Sequence, residues 1–305
     1  MGCLANMPTN KINDKLHNTM TLIENKEFGG ERPLYCQHDL HLKGVTIHAG
    51  ESGIKECQNI RCEDCTFEGK YPLWNTDNFQ VHRCTFKETA RAALWYSRNL
   101  NMTDTLVEAP KMFRDMQGIH LERVELTNAQ ETLWHCRDIN LKDVKANNAD
   151  YIMMYCDGIE INNLRLYGNY GFQYSKNITI RNSILHTKDA FWETENCTVY
   201  NSLINGEFLA WNSRNLHLVC CHIRGKQPLC YCDGLVLENC TFDPDADLAF
   251  EYSDVQATIR SHVHSVKNPR HGSIRAFSYG EIILDENIKL PADCDIERLP
   301  YDEKA

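Results

Sequence analysis

A period of 19 to 21 residues runs through most of this 305-residue chain and leaves few folds open to it. The repeat appears when the chain is cut before an Asn, Asp or Gly that precedes an alternating apolar run. The cuts fall at Asp39, Asn59, Asn78, Asn99, Gly118, Asp138, Gly158, Asn177, Asn196, Asn215, Gly234 and, less cleanly, Asp254. Self-similarity at a fixed short period is the mark of a solenoid, in which each repeat packs only on its neighbours.

Take the cut residue as position zero. Positions +1 and +3 are apolar, as in Ile60 and Cys62, Phe79 and Val81, Ile119 and Leu121, and Leu235 and Leu237. Positions +2 and +4 are mostly polar. This is period two, a strand with one buried face. Position +5 is usually Asp, Asn or Arg, types that suit a sharp bend, and positions +6 and +8 are apolar again. A variable loop and a third apolar segment close the coil. The expected fold is all-β: a single-stranded right-handed parallel β-helix, about eleven coils of 19–21 residues, three short strands per coil. Its hand follows from the preference of parallel crossovers. The expected layout is a flexible extension over 1–19, then the β-helix over 20–290. Within the latter, 20–38 caps one end and 255–290 forms a last coil and hairpin-like cap at the other. Residues 291–305 are a tail.

Charge and cysteine content narrow the partners. The net charge is −10 and the pI near 5.7. Without a Lys/Arg run, nucleic acid is not expected as a partner. No run of 18 apolar residues predicts a membrane span, and the first 19 residues lack the apolar centre of a signal peptide, ahead of Cys3 as elsewhere. The fifteen cysteines therefore read as thiols of a cytoplasmic protein. Cys62 and Cys65 form a C-x-x-C, but they fall at inward positions on either side of a bend. Core filling explains them better than zinc, which needs four converging ligands. Neither metal nor cofactor is expected.

Five stretches along the chain carry a family resemblance: EAPKMFRDM from Glu108, DAFWETEN from Asp189, QPLCYCDGL from Gln227, DADLAFEYS from Asp245, and SVKNPRHGSIRAFSYGEI from Ser265. By these the sequence resembles a bacterial domain-of-unknown-function family, number 3737, within the right-handed β-helix group that includes pectate-lyase-like folds. The resemblance implies the fold and no activity.

The third segment holds the unusual chemistry. All five Trp (Trp74, Trp95, Trp134, Trp192 and Trp211) lie four residues before a cut. Arg114, Met154, Gln173, Cys230 and Phe250 take that place in other coils. One residue on runs a polar and aromatic row: Asn75, Tyr96, Asp115, His135, Tyr155, Tyr174, Glu193, Asn212, Tyr231 and Glu251. These groups cannot line an apolar interior unpaired, so the row faces outward. Strict alternation then turns the Trp inward. A bend would turn them outward, and the apolar position five before the cut conflicts with strict alternation, so the Trp direction stays open.

An outward row of this kind suits an extended carbohydrate, with rings against sugar faces and carboxylates on hydroxyls. The candidate binding residues are Tyr96, Arg114, Trp134, Tyr174, Glu193, Asn212, Tyr231 and Glu251. A two-carboxylate glycosidase is disfavoured: Asp115 and Glu193 are four coils apart, roughly 19 Å, where roughly 5–9.5 Å is needed. Asp115 beside His135, with Tyr155 near, suits proton abstraction by a lyase or epimerase. The rival expectation is a non-catalytic scaffold whose flat face mediates homo-oligomer or partner contact. Three Asn-x-Thr sequons read as products of the repeat, and the tail turn around Asn268-Pro269, with its two bases, as a solvated loop.

Overall fold

The computed structural model describes residues 20–289 and 292–300. Among them all regular structure is β, and it winds as a right-handed parallel β-helix of about fifteen turns. The first side of every coil is a strand, from Thr21–Glu24 through to Asp293–Arg298, each parallel to the next. At ~4.8 Å per coil, fourteen intervals make a rod of roughly 70 Å.

Each repeat signature has a conformational cause. All eleven cut residues from Asp39 to Gly234 adopt φ between 53° and 74°, a backbone that strains most L side chains. Asn, Asp and Gly enter this left-handed region at least cost. The second bend does the same at Asp64, Arg83, Asp104, Arg123, Asp143, Asn163, Asn182, Asn201 and Asn239. Between the bends the alternation holds: Phe79, Leu100 and Ile119 stand in register and buried, as do Val81, Met102 and Leu121. The second side is short, often two residues, as at Thr66–Phe67 and Thr85–Phe86.

The third side is not a strand. A left-handed residue sits three before each cut from Asp39 to Gly234, so the segment is a stack of turns, joined coil to coil by backbone bonds such as His135 N–H to Met154 O at 2.9 Å. The bend puts the positions five and two before the cut both inside. Leu94 and Ser97 are buried while Trp95 and Tyr96, between them, face out. Small polar groups in the inner column knit coils together: Ser97 Oγ donates to Leu73 O at 2.7 Å and accepts from Thr76 N–H at 2.9 Å. Ser175 and Ser253 repeat this arrangement.

The expected coil count, strands per coil and ends need correction. Fifteen coils replace eleven, and two strands plus a turn segment replace three strands. Residues 20–38 form a further coil, whose strands Thr21–Glu24 and Glu27–Glu31 pair in parallel with the following coil. The hairpin-like cap is absent: Asp254–Lys267 and His271–Ile283 pair in parallel. The turn at Asn268 is a coil corner, and there the third side shrinks to a few residues. Asp293–Arg298, read as tail, adds a last strand. Spacing at this end falls to 17 and then rises to 22, which hid the repeat. The expected extension over 1–19 lies outside the described residues.

Candidate functional site

The outward row on the third side carries phenol, imidazole, carboxylate and amide groups. Its residues project because each occupies the left-handed corner, and backbone bonds hold successive corners one coil apart. Tyr96 exposes 48 % of its surface, and Tyr155 and Tyr174 nearly as much. The Trp column beside it faces outward too, half covered. Trp95 Nε1–H donates to Lys111 O at 2.8 Å, and Trp134 Nε1–H to Tyr151 O at 2.5 Å. Arg114 fills the column between them, its guanidinium carbon 4.3 Å from the Trp95 ring centre and 4.5 Å from that of Trp134. Its Nε and Nη2 are buried without a hydrogen-bond partner, and Glu131 stands 3.8 Å away. Cation–π contact holds this charge in place of hydrogen bonds.

Stacking decides what the row can offer a ligand. His135 and Tyr155 lie parallel, centres 4.9 Å apart and planes 2° apart. Tyr155 and Tyr174 stack at 4.9 Å as well. Rings stacked along the rod spend their faces on one another and turn edges outward. The row is interrupted at Asp115, and here an open trough of about 500 Å³ forms, lined by Tyr96, Arg98, Asp115, Met116, Gln117, His135 and Arg137. Among the described residues no ring stacks on Tyr96; it meets Trp74 and Trp95 edge to face. A ligand in this trough would therefore find ring surface that the rest of the row does not provide.

Asp115, His135 and Tyr155 occupy three successive coils, as expected. Asp115 makes no hydrogen bond or ion pair with His135. The imidazole lies flat on Tyr155, so a group one coil below meets its face and not its nitrogens. Tyr174 continues the stack. Glu193 accepts a hydrogen bond from Asn212 Nδ2 at 3.1 Å. Both line a second trough of about 310 Å³, with Arg214, Tyr231, Asp233, Tyr252 and Arg270. Burial, with Glu251 nearby, raises the Tyr231 phenol above its ordinary pKa.

Glu251 does not belong to the exposed row. It is buried, with Lys267 Nζ at 2.9 Å and Gln227 Nε2 at 3.3 Å. Tyr252 takes the row position: it is left-handed and packs on Tyr231 at 5.2 Å. The register slips by one because this corner lies two, not three, residues before Asp254.

Three residues escaped the sequence reading. Arg98 and Arg137 stand one before their cuts, at a position whose charge pattern was not followed. Asp189 lies in a loop, 7 % exposed and without a side-chain hydrogen bond to the described residues, and burial raises its pKa above the ordinary 3.8. The folded chain thus holds the proton more tightly than the unfolded one, and stability falls as pH climbs from that ordinary value. Asp189→Asn is expected to raise the urea midpoint at pH 7.5. The gain should shrink as pH approaches 3.8. An equal gain at every pH would show that ionisation of Asp189 is not the cause.

The family model described as "Protein of unknown function (DUF3737)" matches residues 21–297. No curated protein matches the chain. Among solved structures, a double mutant of the periplasmic alginate epimerase AlgG is 8 % identical, with 92 % of this chain and 75 % of that one covered and a TM-score of 0.31. PfbA, a surface adhesin of Streptococcus pneumoniae, is 11 % identical over 86 % and 70 %, TM-score 0.31. The A-module of the Azotobacter vinelandii mannuronan C-5 epimerase AlgE4 is 11 % identical over 93 % and 90 %, TM-score 0.29. At these values the likeness identifies no activity. Among the described residues no helix is long and apolar enough to cross a membrane.

Proposed function

We propose, for a chain that belongs to the DUF3737 family of proteins of unknown function, that its third side binds an oligosaccharide in the trough between Tyr96 and His135. One observation carries the reading: the exposed row breaks at Asp115, and the break leaves an open, polar trough beside an unstacked Tyr96 ring. Sugars are bound by this mixture, a ring for their apolar face and carboxylate, amide and guanidinium groups for their hydroxyls. The stacked stretch from His135 to Tyr174 adds outward edges along the rod, fit to contact a chain that extends beyond the trough.

A catalytic part for Asp115, His135 and Tyr155 belongs to the same proposal. Its support is the exposed imidazole at the trough wall, and a bound sugar would have to supply the alignment that Asp115 does not. The reducing compartment is also part of the proposal, supported by eleven buried thiols packed in the interior, where oxidation would disturb the core.

The test is a titration with neutral and acidic oligosaccharides, followed by tryptophan fluorescence. The intact chain should give a saturable change, and Tyr96→Ala should weaken it about threefold to tenfold, the worth of one aromatic contact. No response to any sugar from folded protein would sink the reading. If sedimentation then showed a self-associated state lost on the same substitution, the face would be an interface between copies.

A further inference from the structure

Arg98, Gln117 and Arg137 occupy the same place on three successive strands, with Gln117 paired in register to both arginines. Two coils therefore separate the arginines, roughly 9.6 Å at the strand spacing. Both are exposed and line the same trough. Neither makes a side-chain hydrogen bond, ion pair or ring contact with the described protein. Elsewhere on this face the corresponding bases are compensated. Lys176 lies 3.5 Å from Asp157, Arg214 lies 3.2 Å from Glu195, and Arg270 is held by Asp254 and Asp233. The second trough thus has bases but no spare positive charge. The first is lined by two guanidinium groups and the one carboxylate of Asp115; Asp77 and Asp157, in register with the arginines on the outer coils, form no ion pair with them.

We infer that this trough reads an acidic oligosaccharide, a 1,4-linked uronate chain lying along the rod, with Arg98 and Arg137 each taking the carboxylate of alternate sugars. The inference rests on the carbohydrate reading above and narrows it to a substrate class. An extended 1,4-linked chain advances by close to one strand spacing per sugar. In its two-fold form, alternate sugars turn their carboxylates to the same side, one every two coils. That is the interval between the arginines. Guanidinium and carboxylate match as two parallel N–H···O bonds, and a free, exposed guanidinium is placed to form them. Gln117, between the two, faces the intervening sugar, whose carboxylate points away. Its amide nitrogen donates to Asp138 Oδ2 at 2.9 Å, which leaves its second N–H and its carbonyl oxygen for sugar oxygens and hydroxyls. Asp115, one column over, lies beside the bound chain and repels any ligand whose carboxylates fall out of step.

The experiment is calorimetric titration of the full chain with 1,4-linked uronate dimers, trimers and tetramers, and with neutral 1,4-linked glucose oligomers of equal length. A trimer is the shortest chain with two carboxylates on one side. Trimer and tetramer should bind at least about tenfold tighter than the dimer and than the neutral trimer, as a second charge-assisted contact requires. Arg98→Gln and Arg137→Gln should each remove that advantage. Arg165→Gln, an exposed and unpaired arginine on another side of the coil, should leave it intact. All three side chains are exposed, and a thermal melt confirms that each variant folds. Equal affinity for neutral and acidic chains, or an uronate affinity indifferent to both substitutions, overturns the inference and leaves the carbohydrate reading standing. No binding of either class overturns both.

Discussion

Phe86→Ala is expected to lower the unfolding free energy by about 3–5 kcal/mol, as loss of a fully buried aromatic ring does when the site cannot collapse. Phe86 is completely buried and stacks on Phe67, ring centres 4.6 Å apart. Collapse is blocked by the backbone. Lys87 N–H donates to Phe67 O at 2.9 Å, and Glu108 N–H to Phe86 O at 2.8 Å, so the coils on either side are held at fixed separation. Urea unfolding of the variant measures the loss. A double variant with Phe67→Ala should cost less than the sum of the two single changes, because the rings share one contact. A loss under about 1 kcal/mol, the scale of a surface change, would mean that the second side of the coil is not packed as described.

Gly225→Ala is the second large effect, and it acts through backbone. Gly225 has φ of +101°, and a Cβ there would stand 2.3 Å from Gly206 O on the preceding coil. The conformation alone costs a non-glycine residue about 1–3 kcal/mol. The overlap falls on a carbonyl that the stacking fixes, so the coils must part to relieve it. Gly30 separates the two causes: its φ is +82°, but nothing lies within 4 Å of its added Cβ. Gly30→Ala should therefore lose only the conformational part and Gly225→Ala clearly more. Equal losses, from the same urea series, would rule out the clash.

The repeat was legible in the sequence because its corners are left-handed, and few residue types tolerate that backbone. Asn59, Asn78, Asn99, Asn177, Asn196 and Asn215 mark the coils for this reason. The matching inward pairs, such as Phe79 with Val81, follow from the alternation of a strand. Legibility failed where either rule lapsed. At the last coils the spacing drifts to 17 and 22, and the period no longer announces them. In the third segment strict alternation turns Trp95 inward, the apolar position at Leu94 argues the opposite, and the sequence alone leaves the direction open. The left-handed corner at Tyr96 lets Leu94 and Ser97 both point inward and leaves Trp95 and Tyr96 outside. The same corner, displaced by one residue before Asp254, exchanged Glu251 for Tyr252. The site was legible as a row but not as a trough. The trough depends on a gap in stacking at Asp115 and on arginines in the neighbouring column, and both are relations between coils that a single coil does not show.

The stacked, in-register corners also fix the step in which such a molecule can change length. Inserting one residue into a strand would turn its inward side chains out, and any short insertion would separate its corner from the one below. Inserting a whole coil of 19 or 20 residues would preserve every contact above and below it, since each coil touches only its neighbours. A variant with residues 117–136 duplicated, a coil that brings no further arginine into this column, should fold and set Arg137 three coils from Arg98 in place of two. The arginines would then be out of phase with a two-fold ligand by a single sugar. Ligand register in this architecture is thus digital: it shifts by whole coils, and partial steps are not available to it.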